Sequence, residues 1–288
     1  MPPVIALFQP RSVDEAVEVL RAKGDEARVI AGGTALTIML RQGLVRPAAL
    51  VSVGGLPGLR QIERRNGDLL LGALATHRAV ELSPVVRETL PVVASTFGRV
   101  ANVRVRHAAT VGGVLAEADY ASDPPAVFVA LDAVVQVQGP AGAREIPAAE
   151  FFRGFYETAL GTDELVTGIR VPVPAAGTVG VYEKFVTRSS EDRPCLGTAA
   201  IVRLARDGRT CEDLRVAVGA VAEVPQRFMD IEQQAVGQPL EDALIRGVAD
   251  GYAERIDPLS DMRGSAWYRT EMIRVWVRRA IERARGAA

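Results

Sequence analysis

Cysteine is nearly absent from this 288-residue chain: Cys195 and Cys211 stand alone, too few for the four thiolates of an iron–sulfur cluster or a zinc ribbon. They read as reduced core thiols. Histidine is equally scarce, and His77 and His107 lie without any metal-ligand spacing, so each reads as a satisfied structural histidine and no metal site is expected. Surplus charge is missing too. Lys+Arg 34 against Asp+Glu 35 leaves a formal net charge of -1, which argues against a nucleic-acid binder with its basic footprint. No uncharged run approaches the roughly 18 to 20 residues that cross a bilayer, and "MPPVIALFQP" has no basic leader, so a soluble, cytoplasmic chain is expected. There is no G-x-S-x-G, no P-loop and no Rossmann G-x-G-x-x-G, and no catalytic nucleophile–base set can be read.

What is present is ample apolar material. Nearly half of the residues are hydrophobic, and the length suits one large domain or two to three smaller ones. In "RSVDEAVEVLRAKG", Ser12 is a candidate N-cap with Glu15 three residues on; Val13, Ala16, Val17 and Leu20 recur at helical spacing, and Gly24 ends the helix. "ARVIAGG" reads as a short strand running into a glycine turn, and "TALTIMLRQGL" as a helix. Strands follow Pro47, with Asn66-Gly67 as a hairpin turn. Ala79 to about Asn102 is helical, interrupted by Pro84 and Pro91. A hairpin turns near Gly139-Pro140, a strand closes at Pro172 and Pro174, and "VPVPAAGTVG" is a plausible boundary. Beyond it lie two strand candidates, "AAIVRLARDG" and "DLRVAVGAVAEVPQR", then two helical stretches.

Two glycine turns carry the chemical signal. Glycines followed by Thr34 would leave backbone N–H groups exposed beside a hydroxyl, a combination that suits a phosphate. Thr110, Gly112 and Gly113 repeat it about 80 residues on, and two such turns could grip the two phosphates of one pyrophosphate. Asp123 could accept hydrogen bonds from ribityl or ribose hydroxyls; a turn or N-cap role ahead of Pro124 is the ordinary alternative. Lys184 could set a cation near an electron-rich flavin edge, against the plain reading of a solvated strand lysine.

Four stretches in order, "AGGTAL" (31–36), "ATVGGVLAEADYASDPPAVFVALDA" (109–133), "YEKFVTRSSEDRP" (182–194) and "SDMRGSAWYR" (260–269), resemble the FAD-binding medium subunit of the molybdenum hydroxylases, the carbon monoxide and xanthine dehydrogenase group. The resemblance spans nearly the whole chain. It implies an α+β protein: a two-subdomain, PCMH-like α/β FAD domain over 1–175 (about 1–55 and 56–175) and a C-terminal α+β domain with a small antiparallel sheet over 176–288. It implies FAD held by Ala31, Gly32, Gly33, Thr34, Ala35 and Leu36 in one loop and by Thr110, Val111, Gly112, Gly113, Val114 and Leu115 in the other. Asp123 would contact the ribityl chain and Lys184 would lie near the isoalloxazine. The implied partners are a large molybdopterin-binding subunit and a small 2Fe-2S subunit, as a heterotrimer or a dimer of heterotrimers.

The implied activity is that of an oxidoreductase component, passing electrons from partner clusters through FAD to an external acceptor. A free-standing flavin reductase and an assembly module without productive flavin binding are the alternatives. The family's first loop commonly carries Asp where Ala35 stands, and its second carries Asn, His and Pro where Val114, Glu117 and Tyr120 stand, which puts side-chain contacts from these positions in question. Substrate and acceptor are not legible in this chain.

Overall fold

The computed structural model describes residues 5–288, so the reading of a leaderless N-terminus falls partly on residues 1–4, outside those described. A first unit contains β1 (Ala6–Phe8), α1 (Val13–Lys23), β2 (Ala27–Ile30), α2 (Leu36–Gln42) and β3 (Ala49–Ser52), with the strands parallel in the order β1-β3-β2. The expected cap starts α1: Ser12 Oγ accepts from Glu15 N at 3.1 Å, and the Glu15 carboxylate accepts from Arg11 N at 2.7 Å. Strand β1 had no counterpart in the sequence reading.

The second unit runs β4 (Ile62–Arg65), β5 (Asp68–Gly72), α3 (His77–Leu82), α4 (Pro84–Thr89), α5 (Pro91–Gly98), α6 (Val103–Ala108), α7 (Val111–Glu117), α8 (Pro124–Ala130), β6 (Val134–Gly139), β7 (Gly142–Pro147), α9 (Ala148–Phe151), β8 (Phe152–Gly154), β9 (Glu157–Thr158) and β10 (Leu165–Pro172). Its main sheet is antiparallel, β4-β5-β10-β6-β7. Asn66 and Gly67 both take positive φ in the β4–β5 turn, as a two-residue hairpin requires. Pro84 and Pro91 each occupy the start of a helix, where the missing N–H is no loss. The expected interruptions are therefore helix starts.

The third unit is β11 (Val179–Phe185), β12 (Leu196–Leu204), β13 (Cys211–Gly219), α10 (Met229–Gln233), α11 (Asp242–Arg255) and α12 (Ala266–Arg285), with the strands forming an antiparallel meander. Strand β11 adds a third member to the two expected. Both faces of this sheet are covered. Leu196, Ala200 and Val202 of β12 belong to a core built with α11 and α12, whereas Ala199 and Ile201 belong to the core of the second unit. Successive strand residues point to opposite faces, so burial on both sides explains why "LGTAAIV" shows no polar alternation. Burying Ile201 alone contributes about 2 kcal/mol. Gly180 and Gly219 bring the sheet close to Val92 of α5 and Ala126 of α8. Among the described residues no helix is long and apolar enough to cross a membrane, and no group of three or more potential ligands could hold a metal ion.

Candidate functional site

The first glycine turn follows β2 directly. Gly33 takes φ +68°, and α2 begins after Ala35 with no side-chain cap. Within the described residues, the amides of Gly32, Gly33, Thr34, Ala35 and Leu36 donate to no protein acceptor, and the Thr34 hydroxyl has no protein partner. A row of open N–H groups at the head of a helix is a natural seat for an anion. Asp at position 35 could have capped these amides from within; Ala35 leaves them open.

The two turns touch. A Cβ at Gly32 would lie 1.8 Å from the Ala108 carbonyl oxygen, so only glycine lets the segment ahead of Thr110 approach. The second turn does not offer the exposed amides expected of it. Val111 N donates to Ala75 O at 3.0 Å, Gly112 N to Ala73 O at 2.8 Å and Val114 N to Thr110 O at 3.0 Å. Thr110 Oγ1 caps α7 by accepting from Gly113 N at 3.1 Å. Val111, Gly112, Val114 and Leu115 are buried. This turn supplies a closely packed wall and the hydroxyl proton of Thr110, not a row of donors.

Beside β2 runs a cleft of about 430 Å³, with Ala27, Arg28 and Val29 on one wall and Tyr156, Thr158, Gly161 and Glu164 on the other. It is open to solvent and contains none of the residues of the two glycine turns, Asp123 or Lys184.

Asp123 and Lys184, 61 residues apart in sequence, meet. Lys184 Nζ donates to Asp123 Oδ2 at 3.0 Å and to the Arg99 carbonyl at 2.9 Å, while Tyr182 Oη donates to Asp123 Oδ1 at 2.8 Å. The side chains of Lys184 and Asp123 are 5% and 4% exposed, so the solvated-lysine alternative does not hold. Nor does the N-cap alternative: Asp123 occupies the cap position of α8 but its side chain makes no cap bond. Burial pushes the Asp123 carboxyl above its ordinary range, against the pull of Lys184 and the Tyr182 hydroxyl. The Tyr182 phenol is pushed well up by burial and by the adjacent carboxylate. Lys184 has three N–H donors and two partners, which leaves one donor for a ligand.

Sequence reasoning missed Tyr182 and Gly197. The available signal was the strand period, since residues 182 and 184 share one face of β11. Gly197, paired with Lys184, makes room there: a Cβ on it would lie 2.2 Å from Tyr182 Oη. His77 is buried at 2% exposure on the edge of the Phe97 ring, and neither ring nitrogen completes a hydrogen bond, so it is structural without being satisfied. Burial lowers its pKa to about 4, with Thr110's backbone pulling the other way and Arg106 adding to the decrease. His107 is exposed, and both cysteines are free and buried.

The family described as FAD binding domain in molybdopterin dehydrogenase matches residues 3–174, and the CO dehydrogenase flavoprotein C-terminal domain matches residues 181–284. The chain is 32% identical to the carbon monoxide dehydrogenase medium chain of Hydrogenophaga pseudoflava, covering 99% of this chain and 98% of that one. It is also 32% identical to the glyceraldehyde dehydrogenase medium chain of Sulfolobus acidocaldarius, over 98% of both. A solved carbon monoxide dehydrogenase from H. pseudoflava, lacking the Mo-pyranopterin moiety of its cofactor, superposes with a TM-score of 0.96 at 33% identity, over 100% of this chain and 99% of that one. Open amides in a glycine turn, a second turn packed against it and full-length kinship lead to one conclusion: this chain belongs to the FAD-binding subunits of the molybdenum-dependent dehydrogenases.

Proposed function

We propose that this chain works with a large molybdopterin-binding subunit and a small 2Fe-2S subunit, as a heterotrimer or a dimer of heterotrimers in the cytoplasm. Electrons from the partner's clusters leave through this subunit to an external acceptor. Its medium-chain relatives support that division of labour, as does the lack of thiolates for a cluster of its own.

FAD supplies the redox chemistry when bound; the residues do the holding. The amides of Gly32 to Leu36 and the Thr34 hydroxyl would receive the pyrophosphate. Thr110 to Leu115 form the wall against which the cofactor packs, with the side chains of Val114 and Leu115 excluding water. Asp123 would meet the ribityl chain, and the remaining Lys184 donor would offer the isoalloxazine a fixed cation, which would favour an electron-rich ring. The FAD domain is proposed to end at residue 175. The open amide row at the first turn carries this reading.

The test is a visible spectrum of the full chain, alone and co-expressed with its partners, with added FAD and dithionite titration. Flavin bands that bleach on reduction are expected. A complex that stays colourless with excess FAD would overturn the proposal.

A further inference from the structure

The segment Asp119–Asp123, between α7 and α8, belongs to neither helix, yet its side chains reach three separate parts of the C-terminal unit. Arg193 Nε donates to Asp119 Oδ2 at 2.5 Å, Tyr120 Oη donates to Asp261 Oδ2 at 2.9 Å, and Asp123 takes the Lys184 and Tyr182 bonds described above. The backbone joins in, with Ala220 N donating to Tyr120 O at 3.1 Å.

Asp261 is itself tightly held. Its Oδ1 accepts from Arg263 N and Arg269 Nη2, both at 2.7 Å, and its Oδ2 accepts from Arg263 Nη1 at 2.7 Å. Arg263 Nη1 also donates to Tyr120 Oη at 3.1 Å. Arg269 is fully buried and reaches two more segments, donating to the carbonyls of Cys195 at 3.2 Å and Leu259 at 2.6 Å. Cys195 in turn donates its N–H to Phe185 O at 2.8 Å, next to Lys184. One buried guanidinium–carboxylate node is thus tied, through Tyr120, to the segment that carries Asp123, and, through Cys195, to the strand that carries Lys184.

We infer that Tyr120, Asp261 and Arg269 form a positioning device for the flavin site, fixing the Asp123 carboxylate against Lys184 across the seam between the two domains. The inference rests on the FAD reading above. The Tyr120 hydroxyl, held between Asp261 and Arg263, is the positioning group at the head of this device. Since Tyr120 touches neither Asp123 nor Lys184 in the bonds described, its effect on a bound flavin passes through the segment it anchors.

Tyr120→Phe removes only the hydroxyl and keeps the ring that meets Phe155 edge-on at 5.2 Å. The full chain is compared with this variant, with Asp261→Asn, and with Arg209→Gln, which breaks an exposed ion pair far from the node in sequence. FAD affinity is read by flavin fluorescence, the flavin environment by visible circular dichroism, and fold stability by the thermal midpoint of the apoprotein. Tyr120→Phe and Asp261→Asn are expected to weaken FAD binding about five- to tenfold, consistent with the loss of one hydrogen bond to a charged group. Both should also alter the visible dichroism, while Arg209→Gln changes neither. If both node variants lower only the thermal midpoint, and leave FAD affinity and dichroism as in the parent, the node is a brace and the inference falls. A parent chain that binds no FAD under any condition overturns the flavin reading itself, a result distinct from either.

Discussion

The two glycine turns use nearly the same residues for opposite ends. In the first the order is Gly-Gly-Thr, in the second Thr-Val-Gly-Gly. A threonine ahead of the glycines can fold its hydroxyl onto the coming helix, and Thr110 does so by accepting from Gly113 N. A threonine after them is already entering the helix and leaves the turn's amides open, as Thr34 does. Around Thr110 the remaining amides go to Ala73, Ala75 and Thr110 itself. One turn leaves its amides open and the other spends them holding the protein together.

The largest expected effect comes from placing a methyl in each turn. Gly32→Ala must displace the Ala108 carbonyl, 1.8 Å from the new Cβ. It should abolish measurable FAD binding and cost about 3 kcal/mol or more of stability. Gly112→Ala meets Ala73 Cβ at 2.7 Å and should cost about 2 kcal/mol by denaturant titration, with a smaller loss of affinity. Equal FAD losses in the two would erase the distinction.

Lys184→Met leaves the Asp123 carboxylate buried without its cation, for about 3 kcal/mol. Asp123→Asn with Lys184→Met should recover part of that loss in a double-mutant cycle. A strictly additive cycle would mean that the pair contributes nothing.

Glu117 closes the helix of the second turn. Burial, and then the Asp119 carboxylate, raise its pKa from 4.5 to about 7, opposed by Arg193, and its Oε1 is buried without a partner. The folded chain favours the neutral acid. That contribution is complete below the unfolded value of 4.5 and is lost as pH rises through 7. Stability should therefore fall by about 3 kcal/mol between pH 4.5 and 8 on this account. Glu117→Gln should flatten the slope, and superimposable pH profiles would refute the assignment.

The smallest pair is the sharpest. Thr110→Ala should cost about 1 kcal/mol of stability through the lost cap, with a smaller effect on FAD. Thr34→Ala should leave stability unchanged and weaken FAD several-fold, about 1 kcal/mol of binding energy. Reversed results would exchange the roles of the two turns.

Local chemistry was readable in the sequence wherever it is locally determined. Ser12 and Glu15 declared α1, Asn66-Gly67 the hairpin, and the prolines at 84 and 91 two helix edges, because each acts within four residues of itself. The division between the turns was not readable, since Ala73 and Ala75, which occupy the second turn's amides, lie some 35 residues upstream. Strand β11 escaped notice because Gly180 and the charges of Glu183 and Lys184 blur its apolar pattern, and its pairing with β12 is a distant one. Asp123 was singled out for a ligand, yet its protein partners emerge only when β11 is brought up to the segment ahead of α8. The kinship of the whole chain was legible from four ordered stretches, because a linear order of motifs survives where single contacts do not.

The C-terminal sheet, shared between two cores, limits how the molecule can breathe. Parting it from α5 and α8 would wet Tyr182, Ala199, Ile201 and Ala217 together, several side chains' worth of apolar surface, and would also break the Asp123–Lys184 pair. A clamshell motion along that seam is therefore costly. The first glycine turn sits elsewhere, ahead of a helix with no buried residue. The C-terminal sheet is in that sense a back wall that two cores hold in place at once.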